Sequence, residues 1–201
     1  MKYHFLICTF ILLVISGCAE EPTLPRLSAE DVILAFGDSL THGNDATKNE
    51  SYPAVLEKLS GRRVINAGVS GEESDQGLKR LPALLEKYQP KLIILCHGGN
   101  DILRKKDLGK MEANLRQMIQ LAKSQNIPVV LLGVPKPGLF LSSAEIYKEI
   151  AESTGVVFIE GLIADVLGDK SLKSDTVHPN NEGYRTIAES IYSQMQSAGA
   201  I

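Results

Sequence analysis

Five short apolar runs punctuate the chain: Val32 to Phe36, Val64-Ile65, Leu92 to Cys96, Val129 to Leu132 and Val156 to Ile159. They are continuously apolar and mostly bounded by Gly or Pro, the pattern of parallel strands covered on both faces. Between them, apolar residues recur at helical spacing. Leu108, Met111, Leu115, Met118, Ile119 and Ala122 fall on one face, Leu81, Leu84 and Leu85 on another, and Tyr184, Ile187, Ala188 and Ile191 on a third. The methionines at this spacing read as core. Alternating strands and helices over about 170 residues predict an α/β fold, a three-layer α/β/α sandwich around a five-stranded parallel sheet. In such sheets, sites form at the carboxyl ends of the strands, which directs attention to the loops that follow them.

The first eighteen residues follow a different pattern. Lys2 precedes an apolar run from Phe5 to Ile15, then Ser16-Gly17-Cys18. A positive start, a short apolar core and small residues before a cut make a secretory signal. As a helix, the run rises only ~16 Å against a hydrocarbon core of roughly 30 Å, too short for a spanning anchor. Ile15-Ser16-Gly17-Cys18 resembles the bacterial lipobox, whose cysteine is lipidated and becomes the mature N-terminus. The alternative is a plain secretory signal cut nearby. Residues 1–17 are therefore expected as signal peptide, 18–30 as lipidated N-terminus and Pro-containing tether, and 31–201 as the domain. The expected location is the cell envelope, with the chain lipid-anchored at Cys18; Ala19 after the cysteine points, by resemblance to Gram-negative lipoproteins, to the outer membrane or periplasm, and without the anchor the chain is expected to be secreted.

Composition narrows the partners. The net charge of -3 argues against a nucleic-acid binder built on a large basic patch. Trp is absent and aromatics make up 5%, so stacking platforms for bases or sugars are thinly supplied. Of the three cysteines, Cys8 leaves with the signal, Cys18 carries lipid and Cys96 sits in a buried-strand pattern as a small hydrophobe.

Four segments concentrate catalytic residue types: Gly37-Asp38-Ser39-Leu40-Thr41-His42-Gly43, Asn66-Ala67-Gly68-Val69-Ser70-Gly71-Glu72, Gly98-Gly99-Asn100-Asp101 and Asp175-Thr176-Val177-His178-Pro179-Asn180. A serine is inert at its own pKa and needs a base within hydrogen-bond reach, oriented in turn by a third group. Ser39 stands where a strand turns; His178 can take its proton, and Asp175 can hold the imidazole tautomer. Acyl transfer also needs donors aimed at the developing oxyanion, which the N–H groups of Ser39 and Gly71 and the Asn100 amide could supply. Taken alone, Ser39 fits an N-cap as well as a nucleophile, and Asn100, Asp175 and His178 each have a cap or turn alternative. Asp38 is read as fixing its turn, Asp101 as a cap before the helix near 107, and His42 and His97 as supporting residues.

At these four places the chain resembles the GDSL or SGNH hydrolase family. The family's name-giving residues fall on Ser39, Gly71, Asn100 and His178, with Asp175 as the paired acid, and the blocks keep their order from residue 31 to 190. The resemblance, strongest to the bacterial arylesterase, thioesterase and lysophospholipase branch, implies a flavodoxin-like SGNH-hydrolase fold. It also implies a serine esterase acting on aryl or short and medium acyl esters, thioesters or lysophospholipids, with no cofactor. Two rivals stand beside this: a carbohydrate O-deacetylase or O-acyltransferase, and a silent binding lipoprotein.

The remaining motifs add little. Neither nucleotide-binding glycine fingerprint occurs, Gly68 to Glu72 lacks the last glycine of G-x-S-x-G, and no H-E-x-x-H metal spacing is present. Arg104-Lys105-Lys106 reads as a solvated helix entrance or a contact for an anionic head group. Glu72, Glu73, Ser74 and Asp75 are expected, from the resemblance, on a substrate-side loop whose charge disfavours anionic groups.

Overall fold

Strand β1 (Val32–Gly37) runs through the middle of the sheet, and Ile33 to Phe36 are fully buried. In the computed structural model, which describes residues 22–136 and 143–201, β1 pairs with β2 (Arg63–Gly68) on one side. On the other side it pairs with β3 (Leu92–Cys96), followed by β4 (Val129–Leu132) and β5 (Val157–Ile159). All five strands are parallel in the order β2-β1-β3-β4-β5. The three inner strands and β5 read as unbroken apolar runs. Edge strand β2 exposes Arg63 and Asn66 while burying Val64 and Ala67, which is why only two of its residues stand out in the apolar pattern.

Two short helices sit at the strand exits, α1 (Ser39–His42) after β1 and α4 (Gly99–Leu103) after β3. The longer ones form two layers. Helices α2 (Tyr52–Ser60), α7 (Leu162–Gly168) and α8 (Asn181–Ser197) pack together on one face of the sheet. Helices α3 (Ser74–Tyr88), α5 (Leu108–Ser124) and α6 (Glu145–Thr154) cover the other. Helix α5 illustrates the local logic. Asp107 caps it by accepting from the Gly109 and Lys110 N–H groups, and Met111, Leu115, Met118, Ile119 and Ala122 are all buried. Complete burial of each larger side chain in that stripe contributes about 1.5–3 kcal/mol. Cys96 is fully buried at the end of β3.

The sheet reverses its winding between β1 and β3, because the chain moves outward to β2 first and then crosses back. That switch point opens a crevice above the carboxyl ends of β1 and β3. Gly37 keeps the crossing tight: a Cβ there would collide with the Cys96 carbonyl and the Thr41 hydroxyl.

One expectation changes. The tether predicted for residues 18–30 is packed against the fold from Leu24 onward. The Leu24 and Leu27 N–H groups donate to the Ala198 and Ala200 carbonyls, each at 2.8 Å. Both leucine side chains are buried, and Arg62 donates to the Leu27 carbonyl at 3.1 Å. Two leucines in a Pro-containing segment carry no periodicity, so the pattern of the chain gave no sign of this docking. The signal segment with Cys8 and Cys18 lies outside the described residues. Among the described residues, no helix is long and apolar enough to cross a membrane.

Candidate active site

The site begins where β1 stops. Asp38, fully buried, accepts the Leu40 N–H at 3.2 Å and so caps α1. Gly43, in the left-handed region at φ 91°, ends the helix. This turn leaves Ser39 as the first residue of α1, at the cleft. Burial pushes the Asp38 carboxyl above its usual range, an effect only partly offset by the charge of His97 and the N–H groups of Leu40 and Gly99. Asp38 fixes the turn, as the sequence predicts.

The fourth block folds back on itself just before α8. Asp175 Oδ1 accepts the N–H groups of Val177 and His178, each at 2.7 Å. Its Oδ2 lies 2.9 Å from His178 Nδ1, and His178 Nε2 lies 3.1 Å from Ser39 Oγ. One carboxylate thus shapes the turn and holds the ring. With Nδ1–H donating to Asp175, Nε2 is left as the acceptor for the serine hydroxyl. Burial works against the charge on Asp175. The N–H groups of Val177 and His178, together with the imidazole, outweigh burial and bring its carboxyl below the ordinary value.

Three donors converge on the same cleft. Gly71 occupies φ 77°, a conformation that glycine adopts without strain. Among the described residues, neither its N–H nor that of Ser39 has an acceptor. Asn100 uses one amide hydrogen on the Glu72 carbonyl at 3.0 Å and keeps the second free. The cleft has a volume of about 510 Å³, and its apolar wall includes Leu40, Leu103, Val134, Leu167 and Val177. A serine hydroxyl beside an imidazole, N–H groups without acceptors and an apolar wall are an arrangement that suits acyl transfer.

A model of the GDSL-like lipase/acylhydrolase family matches residues 35–186 of the sequence. The chain belongs to that family. It is an ester hydrolase. Among its relatives, thioesterase 1/protease 1/lysophospholipase L1 of Escherichia coli is 33% identical over 179 residues, covering 85% of this chain and 86% of the relative. Esterase TesA of Pseudomonas aeruginosa is 31% identical over 194 residues, covering 90% and 95%. Among solved structures, the psychrotrophic esterase EstA from Pseudoalteromonas, inhibited by monoethylphosphonate, superposes with a TM-score of 0.73 at 25% identity. The match covers 84% of this chain and 98% of that one.

In this acylhydrolase the acidic segment after Gly71 does not face substrate as the sequence suggests. Glu72 turns inward: it makes paired bonds to Arg80, with Nε 2.7 Å from Oε1 and Nη2 2.6 Å from Oε2, and it lies 3.1 Å from His97 Nε2. Burial alone would raise its pKa, but the bonds from His97 and Arg80 and the charge on Arg80 bring it below the usual value. Arg80 also donates to the Gly37 and Ala67 carbonyls at 3.1 and 2.8 Å and stacks over Phe36. The ends of β1 and β2 are thereby tied to the loop that carries Gly71. Glu73 pairs with Arg104 and Lys106 at 2.7 and 3.2 Å, and Asp75 pairs with Lys79.

Two further assignments move. Asp101 does not cap the helix near 107, which Asp107 caps; it accepts the Ser74 N–H and hydroxyl at 2.9 and 2.7 Å and so secures the start of α3. Arg104 donates to the Gly71 carbonyl at 3.0 Å as well as to Glu73, so it braces the loop rather than standing free in solvent. Asp45, which stands in no catalytic motif of the sequence, lies with its Oδ2 3.5 Å from His178 Nδ1. The Gly43-Asn44-Asp45 run signals a turn, but no spacing within it points to a histidine 133 positions away.

Proposed function

We propose that Ser39, His178 and Asp175 form a catalytic triad, with the oxyanion held by the Ser39 and Gly71 N–H groups and the Asn100 amide. The observation that carries this reading is the continuous path from Ser39 Oγ through His178 to Asp175, at 3.1 and 2.9 Å, beside an apolar cleft. Ser39 attacks the acyl carbonyl while His178 Nε2 takes its proton. The tetrahedral oxyanion draws on donors already in place. His178 returns the proton to the departing alcohol or thiol, leaving an acyl-serine. Water, deprotonated by the same imidazole, then releases the acid. Asp175 stays ionised throughout and stabilises the imidazolium.

The substrates in this reading are aryl or short and medium acyl esters, thioesters or lysophospholipids. Leu40, Leu103, Val134, Leu167 and Val177 suit an acyl chain, and no aromatic side chain among the described lining residues offers a sugar platform. The names of the relatives, thioesterase, lysophospholipase and esterase, support the same class. The same proposal places the enzyme in the cell envelope on a lipid at Cys18, which the mass of the mature N-terminal peptide tests: an unmodified Cys18, or cleavage elsewhere, removes the anchor.

An alkyl phosphonate carrying a p-nitrophenolate leaving group tests the nucleophile. One adduct, on the peptide containing Ser39, is the expected result, with activity lost in proportion to labelling. Inactivation through a different residue would overturn the assignment. A panel of p-nitrophenyl esters, acyl thioesters, lysolipids and acetylated sugars then fixes the substrate class. Preferred release of acetate from acetylated glycans would replace the acyl-chain reading with the deacetylase one.

A further inference from the structure

We propose that Asp45 is a second carboxylate partner of His178, a positioning residue that shares with Asp175 the stabilisation of the imidazolium formed during acyl transfer. This rests on the Ser39–His178–Asp175 reading.

The two carboxylates reach the same edge of the ring from different parts of the chain. Asp175 comes from the turn before α8, and Asp45 from the loop after α1. Their Oδ2 atoms lie 2.9 and 3.5 Å from His178 Nδ1. The single Nδ1–H is given to Asp175, so Asp45 acts chiefly through its charge at close range. Ser39 transfers its proton to Nε2 and the Nδ1 proton stays on the ring, so no proton passes to either acid.

Asp45 is held where it is. Its backbone sits in the left-handed region at φ 63°, which Asp tolerates better than most residues. Ser174, on the same turn as Asp175, donates its hydroxyl to Asp45 Oδ2 at 3.1 Å. The loop is fastened on both sides: Tyr184 donates to the Asn44 carbonyl at 3.0 Å, Asn44 to Ser70 Oγ at 2.8 Å, and the Thr47 N–H to Asn181 at 3.1 Å. The other ionisable groups around the ring are Asp38 at the end of β1, Lys173 on the cleft wall and Tyr184 from α8. Among the described residues, Asp45 and Asp175 are the only carboxylates within salt-bridge distance of the imidazole.

Kinetics of p-nitrophenyl butyrate hydrolysis by the full chain decide the matter. EDTA is included so that no divalent ion bridges the carboxylates, and melting temperature checks the fold of each variant. Asp45→Asn lowers kcat by ~3- to 10-fold with KM within twofold, and Asp45→Glu recovers most of the loss. Asp175→Ala retains at least ~10-fold more rate than Asp45→Asn/Asp175→Ala, since Asp45 takes over the Nδ1–H when Asp175 is gone. Loss of the Asp175 turn is common to both variants and drops out of the comparison. Equal rates in the single and double variants, or a wild-type kcat in Asp45→Asn, would overturn the role of Asp45. Undiminished activity in Ser39→Ala would sink the triad reading instead.

Discussion

Replacing Ser39 with alanine lowers kcat for p-nitrophenyl butyrate by ~10⁴-fold or more, with little change in KM. The hydroxyl is the only atom lost, and its 3.1 Å contact to His178 is its only side-chain partner among the described residues. The fold does not depend on it, because α1 is capped by Asp38 and closed by Gly43. Melting temperature therefore stays within error while the rate collapses. The residual rate comes from donors that still polarise the carbonyl toward attack by water. Activity within tenfold of wild type would remove Ser39 from the reaction.

The second large loss comes from Asn100→Ala. Removing one oxyanion donor lowers kcat by about 10²- to 10³-fold, or about 2.7–4 kcal/mol of transition-state stabilisation, and leaves KM nearly unchanged. Asn100 also donates to the Glu72 carbonyl, so its loss has a structural component as well. The two contributions separate by what else changes: an oxyanion donor lowers kcat alone, whereas loss of the bond to the Glu72 carbonyl lowers the melting temperature and raises KM. A rate loss matched by a falling melting temperature and a rising KM would assign Asn100 to scaffold rather than chemistry.

The strands and the meeting of Ser39 with His178 are legible in the sequence for definite reasons. Buried parallel strands must be apolar on both faces, so β1, β3 and β4 announce themselves. The catalytic types lie at strand exits or three residues apart on one turn, as Asp175 and His178 do. Edge strand β2 is half polar because half of it is wet. The charged segment after Gly71 misleads for another reason: sequence gives the charge of Glu72 but not its direction. Its partners Arg80 and His97 lie 8 and 25 positions away and meet it only when α3 folds over β3. Asp45 is hidden in the same way, since its relation to His178 exists only once α8 closes on the loop after α1.

The docking of Leu24 and Leu27 gives the molecule a direction. They bind the chain just past the end of α8 and, through Arg62, the entrance of β2, at the foot of the sheet. Ser39, Gly71 and Asn100 crown its head, one strand length away. Six residue steps separate Cys18 from Leu24, a reach of at most about 20 Å. A lipid on Cys18 would therefore hold the enzyme foot-down with its mouth turned to the water, fed by esters that arrive from solution or from a facing surface rather than by the leaflet beneath it.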